Sequence, residues 1–442
     1  MSNARVAQPI IRAVKGMNDV LPGDVARWHA LEAVIRDVVR LHGYREVRTP
    51  LVEPTPLFVR SIGEGTDVVD REMYSFVFHD EPMTLRPEGT AGVVRAFIEH
   101  QLHAKEPVSR VYYEGPMFRG ERPARGRYRQ FYQAGCEVFG DPGPAVDAEM
   151  IDMLVGLMRR LGIAEVEVVL NTLGGKGTKD RYREKLVAYL TPIRASLSED
   201  SQRRLDMNPL RVLDSKHPKD QEAVAGAPSI LETVDDDDKR HFERLCALLD
   251  ALGTPYRVDP RLVRGLDYYS RTLFELRGRG GELGAQNALG GGGRYDTLVE
   301  ELGGPPTAGI GFALGLERLL LAMPQPAAAP EVSIFLAPIG DRAVAESLLL
   351  ARELRALGVA SLVEGRGGSL KSMLRRANGV GAVGALVLGD GELDRGVVQL
   401  KDLAAHAQRD VPRADAAREV AAWLADRSGA PAGRVTLPDG GP

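Results

Sequence analysis

The stretch "LVRGLDYYSRTLFEL" (262–276) has the length and aromatic content of a β-strand but carries many polar groups. Among them are the guanidinium of Arg264, which can bind an anion, and the phenol of Tyr269, which can donate a hydrogen bond. A half-exposed strand with its polar residues facing water would contain the same residue types. Alone, the stretch leaves a surface strand and a ligand contact as alternatives.

Residues 110–140 predict a long antiparallel hairpin with the strands "RVYYEGPMFRG" and "RQFYQAGCEVFG". Side chains alternate along a strand, so Gln133, Gly135 and Glu137 share one face. The pattern predicts open space above Gly135, with the amide of Gln133 on one side and the carboxylate of Glu137 on the other. A polar outer face of the sheet is the alternative interpretation.

The loop of this hairpin is rich in arginine, with only Glu121 to offset the positive charge. Guanidinium groups match phosphate oxygens in two-point geometry, so the loop suits an anionic ligand, although most charge runs are solvated surface. The arginines are Arg119, Arg122, Arg125, Arg127 and Arg129.

Two other stretches contain candidate ligand contacts. In "LRPEGT" (85–90), Glu88 precedes a predicted helix start at Thr90 and is either a helix cap or a ligand contact. In "GIGFALGLER" (309–318), glycines around a strand-to-helix turn permit close approach of a ligand, with Arg318 on the helix. The turn matches neither the phosphate-loop pattern nor the dinucleotide fingerprint, so any ATP site must use another architecture.

Length and composition limit the class of protein. The 442 residues are 44% hydrophobic, which predicts a folded chain of two or three domains. The net charge of −4 gives no overall attraction to nucleic acid, so such binding would require local basic clusters. Two cysteines are too few for a disulfide framework or a zinc site. The absence of a signal peptide and of apolar runs of about 20 residues predicts a cytoplasmic protein without membrane contact.

Changes of pattern along the chain predict its organisation. A sheet flanked by helices is interrupted by a charged helical insertion and followed by a linker, a small α/β domain and a disordered tail. The predicted ranges are 1–177 and 253–322 for the sheet and its helices, 178–252 for the insertion, 323–330 for the linker, 331–428 for the α/β domain and 429–442 for the tail.

Five stretches together resemble a known family. "TPLVEP", "FRGERPARGRYRQFYQAGCEVFG" and "GIGFALGLERLLL" resemble motifs 1, 2 and 3 of the class II aminoacyl-tRNA synthetases. "LVRGLDYYSRTLFE" and "ALGGGGRYD" resemble the two signature peptides of the histidyl-tRNA synthetases, and these are more specific than the general motifs. The resemblance covers nearly the whole chain.

The resemblance implies a class II α+β catalytic domain, in which helices flank a mixed, mainly antiparallel sheet, and a C-terminal anticodon-binding domain. It implies a ligase that joins L-histidine to ATP, forming histidyl-adenylate and pyrophosphate, and then transfers histidine to the terminal adenosine of histidine tRNA. ATP would be a substrate with Mg²⁺, without a prosthetic group or a structural metal. Because motif 1 forms the subunit interface in the family, the resemblance also implies a homodimer.

The resemblance also implies roles for individual residues. Arg264 and Arg119 would hold the α-phosphate during catalysis, and Glu137 and Tyr269 would recognise the imidazole as acceptor and donor. The other implied histidine contacts are Glu88, Gly89, Thr90, Gln133, Tyr268 and Tyr295. The implied ATP contacts are Arg119, Glu121, Arg318 and Gly311, with Glu121 near the magnesium. The implied tRNA contacts are Arg122, Arg125 and Arg127 at the acceptor end and Lys371, Arg375 and Arg376 at the anticodon.

These assignments require Arg264 and Tyr269 in one site, although residues five apart face opposite ways in a flat strand. We therefore predict that "RGLD" is a loop or bulge hinged at Gly265 and that regular strand begins near Tyr268. Two residues depart from the family pattern: Gly120 follows Arg119, and Tyr132 lies where histidine is common. Neither replaces a residue with an implied role, so the departures concern the flexibility of the hairpin loop more than the activity.

Two other functions are compatible with parts of the pattern. A synthetase-like regulatory subunit of ATP phosphoribosyltransferase would bind histidine without aminoacylation, but such proteins generally lack the C-terminal domain and parts of the signature peptides. A class II synthetase for threonine, glycine or proline would share motifs 1 to 3. The signature "RGLDYY" favours the histidine enzyme over all of these.

Overall fold

The computed structural model describes residues 10–63, 66–278, 287–324 and 332–428. The predicted tail, and all of the predicted linker except Met323 and Pro324, lie outside these ranges. The chain divides into two compact units, Met1–Pro326 and Ala327–Pro442. In the described ranges, no helix is both long enough and apolar enough to cross a membrane.

The strands of the described residues are numbered in chain order. They are β1 (Arg45–Glu46), β2 (Val52–Pro54), β3 (Tyr74–Phe78), β4 (Glu81–Leu85), β5 (Ser109–Phe118), β6 (Gln130–Phe139), β7 (Val166–Thr172), β8 (Tyr256–Val258), β9 (Ser270–Gly278), β10 (Ala288–Arg294), β11 (Gly309–Gly315), β12 (Ile334–Ile339), β13 (Ser361–Val363), β14 (Gly384–Gly389), β15 (Val397–Asp402) and β16 (Gln408–Pro412).

The α-helices of the same ranges are numbered likewise. They are α1 (Pro22–Leu41), α2 (Thr55–Ile62), α3 (Thr90–Glu99), α4 (Pro144–Arg160), α5 (Lys176–Leu190), α6 (Glu199–Met207), α7 (Pro218–Val224), α8 (Asp236–Leu252), α9 (Leu298–Glu301), α10 (Leu316–Ala322), α11 (Asp341–Ala356), α12 (Leu370–Gly379), α13 (Asp390–Asp394) and α14 (Ala416–Ser428).

Eight of these strands form the main sheet of the first unit, in the order β1-β5-β6-β11-β10-β9-β7-β8. Only the outer pairs β1–β5 and β7–β8 are parallel among the pairings described, and the inner pairs are antiparallel. The predicted hairpin is β5–β6, with Gly115 opposite Gln133. The prediction of a mixed, mainly antiparallel sheet flanked by helices is confirmed.

Alternation along the strands gives the sheet two apolar faces. On β5, Tyr112 joins the cluster formed with α1, α4, α8 and α10, while Tyr113 joins the cluster formed with α3 and α5. Leu245 and Leu249 of α8 pack in the first cluster, beside α4. The last helix of the predicted insertion therefore belongs to the apolar core of the sheet.

The stretch around "RGLD" departs from regular strand geometry, as the sequence predicts. Residues 262–269 belong to no strand, and β9 begins at Ser270, two residues later than expected. The bulge itself lies further on, because the register with β10 jumps between Leu273 and Ser270. Gly265 lies at a bend outside any strand, in agreement with the predicted hinge, and Arg271, further along, has a left-handed φ of 44°.

A buried ion pair joins four elements of the first unit. The guanidinium of Arg294, at the end of β10, donates to the Asp147 carboxylate of α4 at 2.6 and 3.0 Å, and both side chains are fully buried. The same carboxylate meets Thr272 Oγ1 of β9 at 2.5 Å and His241 Nε2 of α8 at 3.0 Å. Arg294 also donates to the backbone carbonyl of Asp141 at 2.9 Å.

Electrostatics at Asp147 follow from these contacts. Burial by itself raises the pKa of the Asp147 carboxyl, but the hydrogen bond from His241 and the charge of Arg294 outweigh burial and hold the pKa below its usual value. Asp147 is therefore an anion that depends on Arg294 for compensation inside the protein.

The second unit is a smaller α/β fold. Its five strands lie in the order β13-β12-β14-β15-β16, with the pairs β12–β13 and β12–β14 parallel and the others antiparallel. One face packs Leu336 and Leu386 against Leu350 of α11 and Val420 of α14. Met373 of α12 packs in a separate cluster with Phe335. The α/β architecture predicted for this part of the chain is confirmed.

Replacing Arg294 by methionine should lower the free energy of unfolding by about 3–5 kcal/mol, because it leaves the buried Asp147 carboxylate without a counter-ion. Urea unfolding followed by circular dichroism measures the change. The control is Arg194→Met, which breaks an exposed pair with Asp206 and should have little effect. Equal effects of the two variants would contradict the assigned role of Arg294.

Candidate active site

A cavity of about 240 Å³ opens in the first unit where the β5–β6 hairpin, α3 and the strands β9 to β11 meet. It collects candidate residues that are as much as 230 positions apart in sequence, since Glu88 and Arg318 both line it. The candidates that line the cavity are Glu88, Thr90, Arg119, Glu121, Arg127, Gln133, Arg264, Tyr268, Tyr269, Tyr295, Gly311 and Arg318.

Other candidates lie elsewhere. Gly89 and Glu137 are not among the residues that line the cavity, and neither are Arg122 and Arg125, which are exposed on the hairpin loop. Lys371, Arg375 and Arg376 belong to the second unit, on α12. The structure thus gathers most of the predicted histidine and ATP contacts at one place and leaves the predicted tRNA contacts, apart from Arg127, outside it.

Glu137 lies fully buried beneath the cavity. Its carboxylate accepts hydrogen bonds from Thr90 Oγ1 at 2.7 Å and from the Tyr295 hydroxyl at 2.5 Å, and both of these residues line the cavity. It also lies against the bare backbone of β11, because a Cβ placed at Gly311 would be 1.6 Å from Glu137 Oε2. Burial raises the pKa of Glu137 to about 8.

Glu88 caps α3, the first of the two alternatives left open by the sequence. Its carboxylate accepts from the backbone N–H groups of Thr90 at 2.7 Å and Ala91 at 2.8 Å. Burial raises the pKa of the Glu88 carboxyl above its ordinary value. Because the carboxylate has further lone pairs and lines the cavity, the cap does not exclude a ligand contact.

The prediction of open space above Gly135 is wrong. The ring of Tyr113, from the neighbouring strand β5, fills that space, since a Cβ at Gly135 would lie 2.4 Å from the phenol carbon and oxygen. The Tyr113 hydroxyl and Gln133 Oε1 are buried without a hydrogen-bond partner among the described residues. Two polar atoms at this end of the site are therefore unsatisfied.

Sequence reasoning missed three residues that shape the site. Tyr113 gave no signal, because its role depends on the glycine of the paired strand. Phe131 lines the cavity and lies 5.3 Å beneath the Arg119 guanidinium, and its alternation with Gln133 on β6 could have identified it. Glu275 also lines the cavity and is an ion-pair partner of Arg264 at 2.6 Å.

Of the four guanidinium groups that line the cavity, those of Arg119, Arg264 and Arg318 are held by other parts of the protein. Arg119 Nε donates to the Pro87 carbonyl at 2.8 Å, and Arg264 pairs with Glu275. Arg318 donates to the carbonyls of Gly126 at 3.1 Å and Ala288 at 2.7 Å. Backbone carbonyls thus hold Arg119 and Arg318 in place before any ligand enters, and a carboxylate holds Arg264.

The electrostatic potential of these guanidinium groups favours the binding of an anion. Burial and, after it, the charge of Arg127 lower the pKa of Arg318, so the protein itself does not fully compensate the Arg318 cation. Glu121 lines the same cavity and contacts Arg127 at 3.1 Å. In the described residues, no group of three or more His, Cys, Asp or Glu side chains could hold a metal ion alone.

The two departures from the family pattern have structural explanations. The backbone N–H of Gly120 donates to the carbonyl of Glu72 at 2.6 Å, and a Cβ there would lie 3.3 Å from that oxygen. Tyr132 packs edge-on against Trp28, with 5.0 Å between ring centroids, and its backbone N–H donates to Glu317. Both ends of the hairpin loop are thus anchored.

An eight-stranded, mainly antiparallel sheet that carries an arginine-lined cavity, with an α/β second unit, is the architecture of a class II aminoacyl-tRNA synthetase. The family model described as Histidyl-tRNA synthetase matches residues 16–319, and the Anticodon binding domain model matches residues 333–423. The chain belongs to the histidyl-tRNA synthetase family.

Individual relatives agree with this membership. The chain is 58% identical to a histidine–tRNA ligase of Sorangium cellulosum, over 95% of this chain and 97% of the relative, and 48% identical to one of Synechocystis, over 92% and 91%. The solved apo histidyl-tRNA synthetase of S. aureus superposes with a TM-score of 0.78 at 33% identity, over 93% of this chain and all of that one. The ligase prediction is confirmed in preference to the regulatory subunit.

The effect of Glu137→Gln on stability should depend on pH. The folded pKa of about 8 exceeds the ordinary value of 4.5, so the wild-type protein loses stability as pH rises from about 4.5 to 8, whereas glutamine does not titrate. Between pH 5 and 9 the variant should gain roughly 3–5 kcal/mol relative to wild type, because each pKa unit corresponds to about 1.4 kcal/mol.

Urea unfolding at pH 5, 7 and 9 measures this difference. Glu99→Gln on α3 is the control, since the Glu99 carboxylate is exposed in the folded protein. A difference between Glu137→Gln and wild type that stays constant with pH would contradict the burial of an ionisable carboxyl at this position.

Proposed function

We propose that the chain activates L-histidine with ATP in the arginine-lined cavity and then transfers the histidyl group to the terminal adenosine of histidine tRNA. Family membership supports the reaction. The observation that carries the location is the convergence of Arg119, Arg264 and Arg318 on one cavity beside the buried Glu137. Both substrates are anions at their reacting ends, which suits such a site.

In the first step, a carboxylate oxygen of histidine forms a bond to the α-phosphorus of ATP, and the bond from that phosphorus to the pyrophosphate oxygen breaks. Negative charge increases on the α-phosphoryl oxygens as this happens, so fixed cations lower the barrier. We assign this stabilisation to Arg119 and Arg264. Arg264 can turn from Glu275 to the phosphate because Arg277 also pairs with Glu275, at 2.7 Å.

The remaining polar groups of the cavity suit ATP. We assign Arg318 to the adenine and the γ-phosphate, with the bare backbone at Gly311 close to the nucleotide. Glu121 is the residue we assign to Mg²⁺, which typically takes one or two carboxylates together with substrate phosphates. The Glu121 carboxylate lines the cavity and has one charged partner described, Arg127, so it fits this role.

Recognition of histidine requires one acceptor and one donor for the neutral imidazole. We assign these to Glu137 and Tyr269, and the ring reaches the buried Glu137 carboxylate by displacing the hydroxyl of Thr90 or Tyr295. An amino acid without ring nitrogens would leave these groups unpaired. The other proposed contacts are Glu88, Gly89 and Thr90 for the ammonium, Gln133 for the carboxylate and Tyr268 and Tyr295 for the pocket walls.

The second step transfers the histidyl group from the adenylate to the ribose hydroxyl of tRNA, with AMP as leaving group. The exposed loop arginines Arg122 and Arg125, with Arg127 at the cavity, suit the acceptor end. On α12, Lys371 and Arg375 are exposed and suit phosphates near the anticodon. Arg376 is a weaker candidate, because it pairs with Glu364 and donates to the Gly367 carbonyl at 3.0 Å.

We further propose a cytoplasmic homodimer. Motif 1 includes β2, which forms a three-stranded sheet with β4 and β3. On β3 the side chains of Phe76, Val77 and Phe78 are 44, 70 and 57% exposed, an apolar surface that a second subunit would cover. Light scattering that gave the mass of a single 48.0 kDa chain would contradict the dimer.

The proposed location in the cytoplasm agrees with the two free cysteines, because thiols stay reduced in such a compartment.

The direct test of the reaction is ATP–pyrophosphate exchange with each of the twenty amino acids, followed by charging of purified tRNA. Exchange should require histidine. Exchange that required a different amino acid would contradict the pocket assignment, and its absence with every amino acid would contradict activation altogether.

Arg264→Ala should lower kcat of histidine-dependent exchange by about 10²–10³-fold, as expected for loss of one group that stabilises transition-state charge. The KM for histidine should change much less. Arg277→Ala is the matched control, because Arg277 also pairs with Glu275 but does not line the cavity. If both variants lose activity equally, Arg264 acts only by holding Glu275.

Replacing Lys371 and Arg375 together by alanine should raise the KM for tRNA while leaving exchange in the absence of tRNA unchanged. Loss of two phosphate contacts should also reduce the slope of log affinity against log salt concentration by about 1.5. Filter binding at several salt concentrations measures the slope. Lys401→Ala, on β15 of the same unit, is the control, and an equal effect there would contradict a localised contact.

A further inference from the structure

The Tyr268–Tyr269 turn is an irregular wall of the cavity. Residues 262–269 belong to no strand or helix, so their backbone polar groups need partners outside a regular ladder. The rings of Tyr268 and Tyr269 are 4.8 Å apart and both line the cavity. What fixes this turn therefore fixes one side of the proposed histidine pocket.

A lysine from α5, within the predicted insertion, holds this turn. Lys179 Nζ donates to the carbonyl of Asp267 at 2.9 Å and to the carbonyl of Tyr269 at 3.0 Å. One ammonium thus bridges the two peptide groups that flank the Tyr268–Tyr269 dipeptide. Hydrogen bonds from a charged donor are stronger than neutral ones, and two of them on alternate carbonyls restrict the dihedral angles between them.

Other contacts hold the turn from two sides. Asn208, also in the predicted insertion, donates from Nδ2 to Asp267 Oδ1 at 3.0 Å. The backbone N–H of Asp267 donates to the carbonyl of Ile62, at the end of α2, at 3.2 Å. The turn is therefore attached both to the main fold and to the insertion.

The turn also borders open space on its other side. A second cavity, of about 630 Å³, is lined by Tyr268 and Tyr269 together with Lys179, Asn208 and Lys176. The same two tyrosines thus border two cavities. Without the lysine, the turn has room to move away from the proposed histidine pocket into this second space.

We propose that Lys179 is a positioning residue for histidine binding, which holds the Tyr268–Tyr269 turn against the pocket through the carbonyls of Asp267 and Tyr269. The inference rests on the proposed function of the cavity. It makes the docking of the insertion a condition for histidine recognition, although no side chain of the insertion touches histidine in this account.

The test compares Lys179→Met with Lys176→Met in ATP–pyrophosphate exchange. Lys179→Met should raise the KM for histidine about 10–100-fold, the loss expected for one or two charge-assisted hydrogen bonds, while kcat at saturating histidine and the KM for ATP change little. Lys176→Met should behave as wild type, because Lys176 lines the same cavity but makes no described hydrogen bond to the turn.

Two further measurements separate positioning from a general loss of structure. Lys179→Arg keeps a charged donor and should restore the KM for histidine to within about threefold of wild type. Hydrogen exchange of the amides of residues 266–269 should be faster in Lys179→Met than in wild type. If Lys179→Met does not fold, Lys179→Gln keeps a polar group at this half-buried position and replaces it.

The outcomes distinguish this inference from the proposed function. If wild-type protein shows no histidine-dependent exchange, the proposed function has failed and Lys179 has no histidine to position. If wild type is active and the Lys179 variants keep the wild-type KM for histidine, the positioning role alone is overturned. It is also overturned if the KM for ATP rises as much as the KM for histidine.

Discussion

The buried pair of Arg294 and Asp147 is the constraint on which the site depends. Two fully buried charges persist only when each is compensated, and here the compensation comes from α4, β9, β10 and α8 together. Arg294 is followed directly by Tyr295, whose hydroxyl holds Glu137 at the base of the cavity. Holding the Arg294 guanidinium in place therefore also constrains the backbone that carries Tyr295. The geometry of the pocket thus depends on an ion pair that lies outside it.

The bare backbone of β10 and β11 is the second requirement. A Cβ at Gly291 would lie 2.9 Å from the Arg264 guanidinium, and one at Gly309 would lie 2.3 Å from the Tyr295 ring. These strands therefore act as a flat surface on which the functional side chains rest. The contacts explain why a run of four glycines, poor in strand propensity, occupies the centre of a sheet.

The sequence predicted features that depend on local pattern. The hairpin, the α/β architecture of the second unit and the face shared by Gln133, Gly135 and Glu137 follow from alternation and turn residues, and the signature peptides identified the family. The filled space at Gly135, the bulge at Arg271 and the anchoring of the turn by Lys179 could not be predicted. Each depends on a contact between elements far apart in the chain, for which one sequence carries no local signal.

The pairing of β7 with β9 has a consequence for how the molecule is made. β7 ends at Thr172 and β9 begins at Ser270, so the insertion lies between two neighbouring strands of one sheet. Closing such a long loop costs only slightly more entropy than closing a short one, but it delays the contact. As the chain leaves the ribosome, the hairpin with Arg119 emerges well before the strands that complete the pocket. The growing chain therefore displays a cluster of arginines before it has any pocket.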